Sequence, residues 1–270
     1  LKNSVFIIIS AFISIFSDIS EATDIQKKNE YVIFLHGIGR SRRSMRFIEK
    51  YIADRGYRTY NLNYPSTKKT IQEIVLKYIP SVIEKCKGAD KIHFVVHSMG
   101  GIIMRHYLQD HSLPKGSRIV MLAAPNHGSE VTDFFRNFFL YKWIYGPAGQ
   151  QLGTEAESLP NILKPVVGSS LRLEPTSLRP DVGSSLRLEP TSLGPEPTIE
   201  IGVITGNTSW DPLSYLIPGQ SDGKVSVESA KLKEMKDFLV VPFGHTFIMN
   251  HSIVMKQTLY FIEHGKFEKP

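Results

Sequence analysis

Ile92-His93-Phe94-Val95-Val96-His97-Ser98-Met99-Gly100-Gly101 is the stretch from which the rest of the chain can be read. A run of β-formers from Ile92 to Val96 meets a serine, and two glycines follow almost at once. That is the sequence form of a nucleophile elbow: a strand ends, the chain turns sharply, and a helix begins with the serine hydroxyl proud of the sheet edge. Gly100 suits such a turn, because the incoming helix packs so close to the strand that a larger side chain would collide. The string alone also fits a buried serine at an ordinary βα turn, so its meaning depends on partners elsewhere.

Three partners appear. Upstream, Tyr31-Val32-Ile33-Phe34-Leu35-His36-Gly37-Ile38-Gly39 is an apolar strand ending in a His-Gly turn. Downstream lie Ser221-Asp222-Gly223-Lys224-Val225 and Phe243-Gly244-His245-Thr246-Phe247, giving the order nucleophile, acid, histidine. With Ala124-Pro125-Asn126-His127-Gly128-Ser129, these blocks resemble those of bacterial α/β-hydrolase lipases and esterases, including relatives of the GPI inositol-deacylase group. The resemblance covers most of the chain outside the first residues and a repeat described below. One departure is visible: Val96 stands where the G-x-S-x-G pattern begins with glycine, tolerable if the strand packs slightly differently.

The resemblance implies an α/β-hydrolase fold, a mostly parallel sheet flanked by helices with a cap insertion, and a serine hydrolase acting on carboxylic esters, above all lipids or acylglycerols. Ser98 would be the nucleophile, His245 the base and then the acid, and Asp222 the acceptor that orients the imidazole. The backbone N–H groups of Ile38 and Met99 would form the oxyanion hole. His251 competes with His245, but it opens the last helix, whereas His245 sits in a strand-to-helix loop. Asp211, in Trp210-Asp211-Pro212, competes with Asp222 or merely begins a turn. His36, His97 and His127 are read as structural, bonding the turns around the site. The same machinery leaves a phospholipase, an acyltransferase or an amidase open, and a silent lipid-binding scaffold is the alternative of another class. No cofactor is expected, and no spacing of His, Asp and Glu resembles a metal site.

The periodicity predicts strands at 31–36, 57–62, 92–96, 118–123, 199–205 and 238–241. A helix over 44–55 should bury Phe47, Ile48, Tyr51 and Ile52 before Gly56 stops it. Thr70 and Glu73 form a capping box for a helix whose stripe is Ile71, Ile74, Val75, Tyr78, Val82 and Ile83, kinked by Pro80. Further helices are expected over 100–110 and 253–263, the last burying Ile253, Val254, Thr258, Phe261 and Ile262. Strands separated by helices mean parallel pairing with right-handed crossovers.

A length of 270 residues fits one such domain over 23–270. The net charge of +6 comes from scattered basic residues with a short cluster at Arg40, Arg42, Arg43 and Arg46. No nucleic-acid motif accompanies it, so the charge reads as a solvated surface biased toward anionic lipid, with membrane-surface contact as the expected partner mode. Oligomeric state is left open. Cys86 is the only cysteine, so no intrachain disulfide forms, and it reads as a small buried residue. The apolar run Val5–Phe16, following Lys2 and followed by Ser20-Glu21-Ala22, reads as a signal peptide over 1–22 and hence export, or as an anchor if uncleaved. Residues 126–165 are read as the cap. Its Phe134, Phe135, Phe138, Phe139, Tyr141, Trp143 and Tyr145 either line an acyl site or pack the cap on the core. Residues 167–196 are a tandem repeat rich in Pro, Ser and Gly, expected to be a dispensable surface loop.

Overall fold

Six parallel strands in the order β2-β1-β3-β4-β5-β6 form the sheet of the computed structural model, which describes residues 28–166 and 199–269. They are β1 (Glu30–Leu35), β2 (Arg58–Leu62), β3 (Lys91–His97), β4 (Arg118–Leu122), β5 (Glu200–Gly206) and β6 (Asp237–Val241). Every neighbouring pair is parallel, as the alternation of strands and helices predicts. The signal-peptide reading at 1–22 and the repeat at 167–196 lie outside the described residues.

Near-continuous apolar runs in β1 and β3 have a simple cause: both faces of the sheet are covered. Ile33, Leu35, Phe94 and Val96 point to the layer of α2 (Ile71–Lys85) and α3 (Met99–Tyr107). Val32, Phe34 and Val95 point to the layer of α1 (Arg46–Ala53) and α8 (Ser252–His264). Between β4 and β5 the chain forms α4 (Glu130–Phe135), α5 (Phe139–Gln150), broken at Gly146, and α6 (Leu159–Ile162). The short α7 (Val227–Ala230) precedes β6.

Several local expectations change. The predicted helix over 44–55 is a 3-10 turn, Arg42–Met45, followed by α1; Met45, Ile48 and Ile52 are buried while Phe47 is exposed. The Thr70 capping box is present, and α2 continues through Pro80 to Lys85. Pro80 and Leu76 lie on the solvent side, where water can take the Leu76 carbonyl that loses its partner. Ile79 joins the buried stripe that the periodicity left to Tyr78 and Ile83. Helix α3 stops at Tyr107, three residues early, where the polar Gln109-Asp110 turn begins. Ile253 is exposed, because α8 buries Val254, Met255, Gln257, Thr258, Phe261 and Ile262 instead. Cys86 is buried.

The elbow is packed to its limit. A Cβ on Gly100 would sit 3.1 Å from Leu35 Cβ, and one on Gly101 would sit 2.5 Å from Ala124 Cβ. The second contact is the tighter one and has no flexible side chain to yield. Gly101→Ala is therefore expected to lower stability by about 1–3 kcal/mol, the usual range for overpacking. A melting temperature equal to that of the native chain would contradict this picture.

Candidate active site

At the C-terminal edge of the sheet, next to the reversal between β1 and β3, the chain gathers its chemistry. Ser98 follows β3 with φ 54° and ψ −122°, a left-handed backbone that a side chain normally avoids. Its N–H donates to the Leu122 carbonyl (2.9 Å), and its own carbonyl accepts from Gly101 N–H (2.9 Å). Gly37 is required beside it: a Cβ there would come within 2.9 Å of His97 Nδ1 and 3.0 Å of Ser98 Cβ.

Ser98, Asp222 and His245 are brought together from three separate loops. His245 Nε2 lies 3.0 Å from Ser98 Oγ, and His245 Nδ1 lies 2.8 Å from Asp222 Oδ2. All three residues are buried, with 6%, 1% and 7% exposure in that order. Asp222 is held by the backbone that follows it. Its Oδ1 accepts from Lys224 N–H (3.0 Å) and Val225 N–H (2.9 Å), and His245 N–H donates to the Asp222 carbonyl (2.9 Å). Gly223 makes this turn with φ 93°, and a Cβ there would overlap Ser209. The Ser-Asp-Gly-x-Val spacing thus has a mechanical reason: two amides fold back onto one carboxylate oxygen.

The two competitors lie elsewhere. The His251 ring stacks on Phe243, with centroids 3.6 Å apart, at the start of α8. Asp211 caps the 3-10 turn Pro212–Leu216 through Leu213 N–H and pairs with Lys224 Nζ at 2.9 Å. The amides of Ile38 and Met99 donate to no protein acceptor among the described residues, and Met99 opens α3, where the helix dipole favours negative charge.

Three buried histidines are neutral by their bonding. His36 Nδ1 donates to the Gly37 carbonyl (2.9 Å) and Nε2 faces Tyr64 N–H (3.5 Å); burial drives its pKa down to about 4. Its ring stacks on Tyr64, whose hydroxyl donates to the His36 carbonyl. His97 Nε2 donates to the His245 carbonyl (3.0 Å), while its Nδ1 has no partner among the described residues. Burial and then the neighbouring His245 hold its pKa well below the ordinary range. His93, at the far end of β3, accepts Arg118 N–H on Nδ1 (3.0 Å) and donates Nε2–H to Glu30 (3.1 Å); burial outweighs that carboxylate and lowers its pKa to about 4. The contact to Glu30 is therefore a hydrogen bond and not an ion pair. His127 departs from the expectation: its side chain is exposed and makes no hydrogen bond among the described residues, and only its backbone N–H ties the turn, to Ser229 O.

Above the serine lies an apolar cleft of about 330 Å³. Ser98 and His245 are in its wall, with Ile38, Phe135, Phe138, Tyr141, Ile144 and Tyr145 among its lining. The aromatic segment therefore divides by residue, and two of its rings fit neither the acyl-site nor the core-packing reading. Phe135, Phe138, Tyr141 and Tyr145 face the cleft, whereas Phe139 and Trp143 are 80% and 74% exposed. Sequence reasoning missed Lys224 and Leu213 in this wall, and the bond by which the Arg40 guanidinium donates to the Thr246 carbonyl at 2.5 Å. It also missed Arg105, buried in α3 and donating to the Asn126 carbonyl (2.7 Å), for which a lone arginine within a helical apolar stripe was the available signal. Among the described residues no group of three His, Cys, Asp or Glu could hold a metal ion.

Residues 30–182 match the family described as alpha/beta hydrolase fold, and the chain belongs to that family. Among solved structures, the mature form of the Bacillus licheniformis lipase BlEst2 is similar with a TM-score of 0.57 and 14% identity, over 88% of this chain and 93% of that one. Phospholipase PlaB from Legionella pneumophila gives a TM-score of 0.59 and 16% identity, over 87% of this chain and 57% of that one. A structure from the work on the metagenome-derived lipolytic enzymes LipS and LipT gives 0.52 and 14%, over 88% and 95%. At these identities the likeness is one of fold. No curated protein matches the sequence.

Proposed function

We propose that the chain is a serine hydrolase of carboxylic esters whose acyl part is apolar, with lipid or acylglycerol esters as the substrate class. The observation that carries this reading is the chain of contacts from Asp222 through His245 to Ser98 at the wall of an apolar cleft. Ser98 Oγ attacks the ester carbonyl carbon as His245 Nε2 takes its proton. The carbonyl oxygen becomes an oxyanion that accepts from the amides of Ile38 and Met99. Collapse breaks the bond to the alkoxide, which leaves with the proton held by His245. Water then attacks the acyl-Ser98 ester, again giving its proton to His245, and the acid departs as Ser98 regains a proton. Asp222 stabilises the imidazolium throughout. The similar folds named as lipases, a phospholipase and lipolytic enzymes favour this chemistry over an amidase. Export after cleavage near Ala22 goes with the proposal, since such a substrate is met at membranes.

A fluorophosphonate probe tests the nucleophile: labelling of the native chain and none of Ser98→Ala is expected, and labelling of both would overturn the assignment. A series of p-nitrophenyl esters tests the cleft. Phe135→Ser with Phe138→Ser should cost about 1–3 kcal/mol of preference for long over short acyl chains per ring. Phe139→Ser, on the exposed face, should leave the preference unaltered. Equal losses on acetate and on long esters would mean that the rings only pack the cap.

A further inference from the structure

A second cleft, of about 530 Å³, adjoins the first along the same two loop segments. Ile38 and His245 face the apolar cleft, while Gly39, Arg40 and Phe247 line this one with Ser41, Arg43 and Arg46. No carboxylate lines it, and among the described residues neither Arg40, Arg43 nor Arg46 takes part in an ion pair. Two of the guanidiniums rest on aromatic rings, Arg40 over Phe247 at 5.3 Å and Arg46 over Phe47 at 4.5 Å, and Arg40 also donates to the Thr246 carbonyl. Both rings are about half exposed, at 59% and 50%. Three arginines without a carboxylate partner, lining one concavity, match the charge of a phosphate group. Exposed rings at the same rim match the boundary between lipid headgroups and acyl chains. The cap stands beside this rim, since a Cβ on Gly39 would lie 3.7 Å from the Tyr145 ring.

The geometry points to this arginine cleft as a subsite for the phosphate of an anionic phospholipid, next to the cleft that takes the acyl chain. The inference rests on the ester-hydrolase reading for its place in turnover, but the site itself can be tested without turnover. Ser98→Ala protein is sedimented with vesicles of phosphatidylcholine alone or of an equimolar mixture with phosphatidylglycerol. Preference for the mixture is expected, and adding Arg43→Gln and Arg46→Gln should weaken it by about thirtyfold, from roughly a fivefold loss per basic residue. Lys77→Gln with Lys115→Gln removes the same charge from other surfaces and should weaken binding by less than about threefold, being remote from the lipid. Equal losses from the two pairs, or no preference for the mixture, would overturn the subsite. Dialysis against inorganic phosphate distinguishes the source: saturable binding of free phosphate with no vesicle preference would replace the headgroup by a soluble phosphate and overturn the assignment. Because every arm uses Ser98→Ala, failure here leaves the probe-labelling test of the nucleophile untouched.

Discussion

Ser98→Ala and His245→Ala are each expected to lower turnover of a p-nitrophenyl ester by on the order of a millionfold, and the double variant by little more. The reason is geometric: one proton path runs from Ser98 Oγ to His245 Nε2 over 3.0 Å, and removing either end removes the whole path. Asp222→Ala should cost less, on the order of ten-thousandfold, because the imidazole remains while its tautomer and orientation are lost. His251→Ala should retain near-native turnover, since that ring stacks on Phe243 and meets none of the three residues. Single-turnover kinetics on folded variants, with circular dichroism as the check on folding, decide the matter. A folded His251→Ala as inactive as His245→Ala would move the base.

Acid should unfold this protein well before its carboxylates are exhausted. His36 and His93 have pKa values near 4 in the fold against 6.5 in an unfolded chain, and His97 is displaced in the same direction. Between those values the unfolded chain takes up protons that the native chain refuses. The stability is fully present above pH 6.5 and is lost as the pH falls toward 4. Each histidine contributes a slope of up to about 1.4 kcal/mol per pH unit, so the three together approach about 4 kcal/mol per unit. Burial raises the Glu30 and Glu200 pKa values, but bonds to Lys91 and His93 and to Lys236 and Arg118 outweigh it and hold both below their ordinary range, so they add to the loss in the same direction at still lower pH. Urea titrations at successive pH values measure the slope. His93→Gln, which offers an amide donor and acceptor where the ring stood, should remove about a third of it. A free energy of unfolding unchanged from pH 6.5 to pH 4.5 would refute the neutral assignment of these rings.

The strands and the parallel sheet were legible because buried β-runs and helical stripes alternate along the chain. Ser98, Asp222 and His245 were legible because each sits in a short turn whose neighbours leave a mark: Gly100 and Gly101 beside the serine, Gly223 after the aspartate, Gly244 before the histidine. Other parts left no local mark. The Tyr64 stack on His36, the Arg40 bond to Thr246 and the Lys224 pair with Asp211 join residues whose types say nothing of one another. Phe47 and Ile253 show the limit of periodicity, which finds a stripe but not the edge where the neighbouring layer ends. Residues 126–165 are similar: their aromatic content was plain, but which rings face the cleft depends on how α4 and α5 lie over the sheet edge.

Under the proposed mechanism, the left-handed backbone at Ser98 sets stability and activity against each other. A serine held at φ 54° carries strain of about 1–3 kcal/mol, which glycine, at home on that side of the map, would release. Ser98→Gly should therefore melt higher than Ser98→Ala, and higher than the native chain if the release exceeds the glycine's own entropic loss of about 0.5–1 kcal/mol. Any search that rewards heat resistance alone would be drawn to a position where, under the proposed mechanism, winning disarms the molecule. Directed evolution of this chain has to select for turnover at every round.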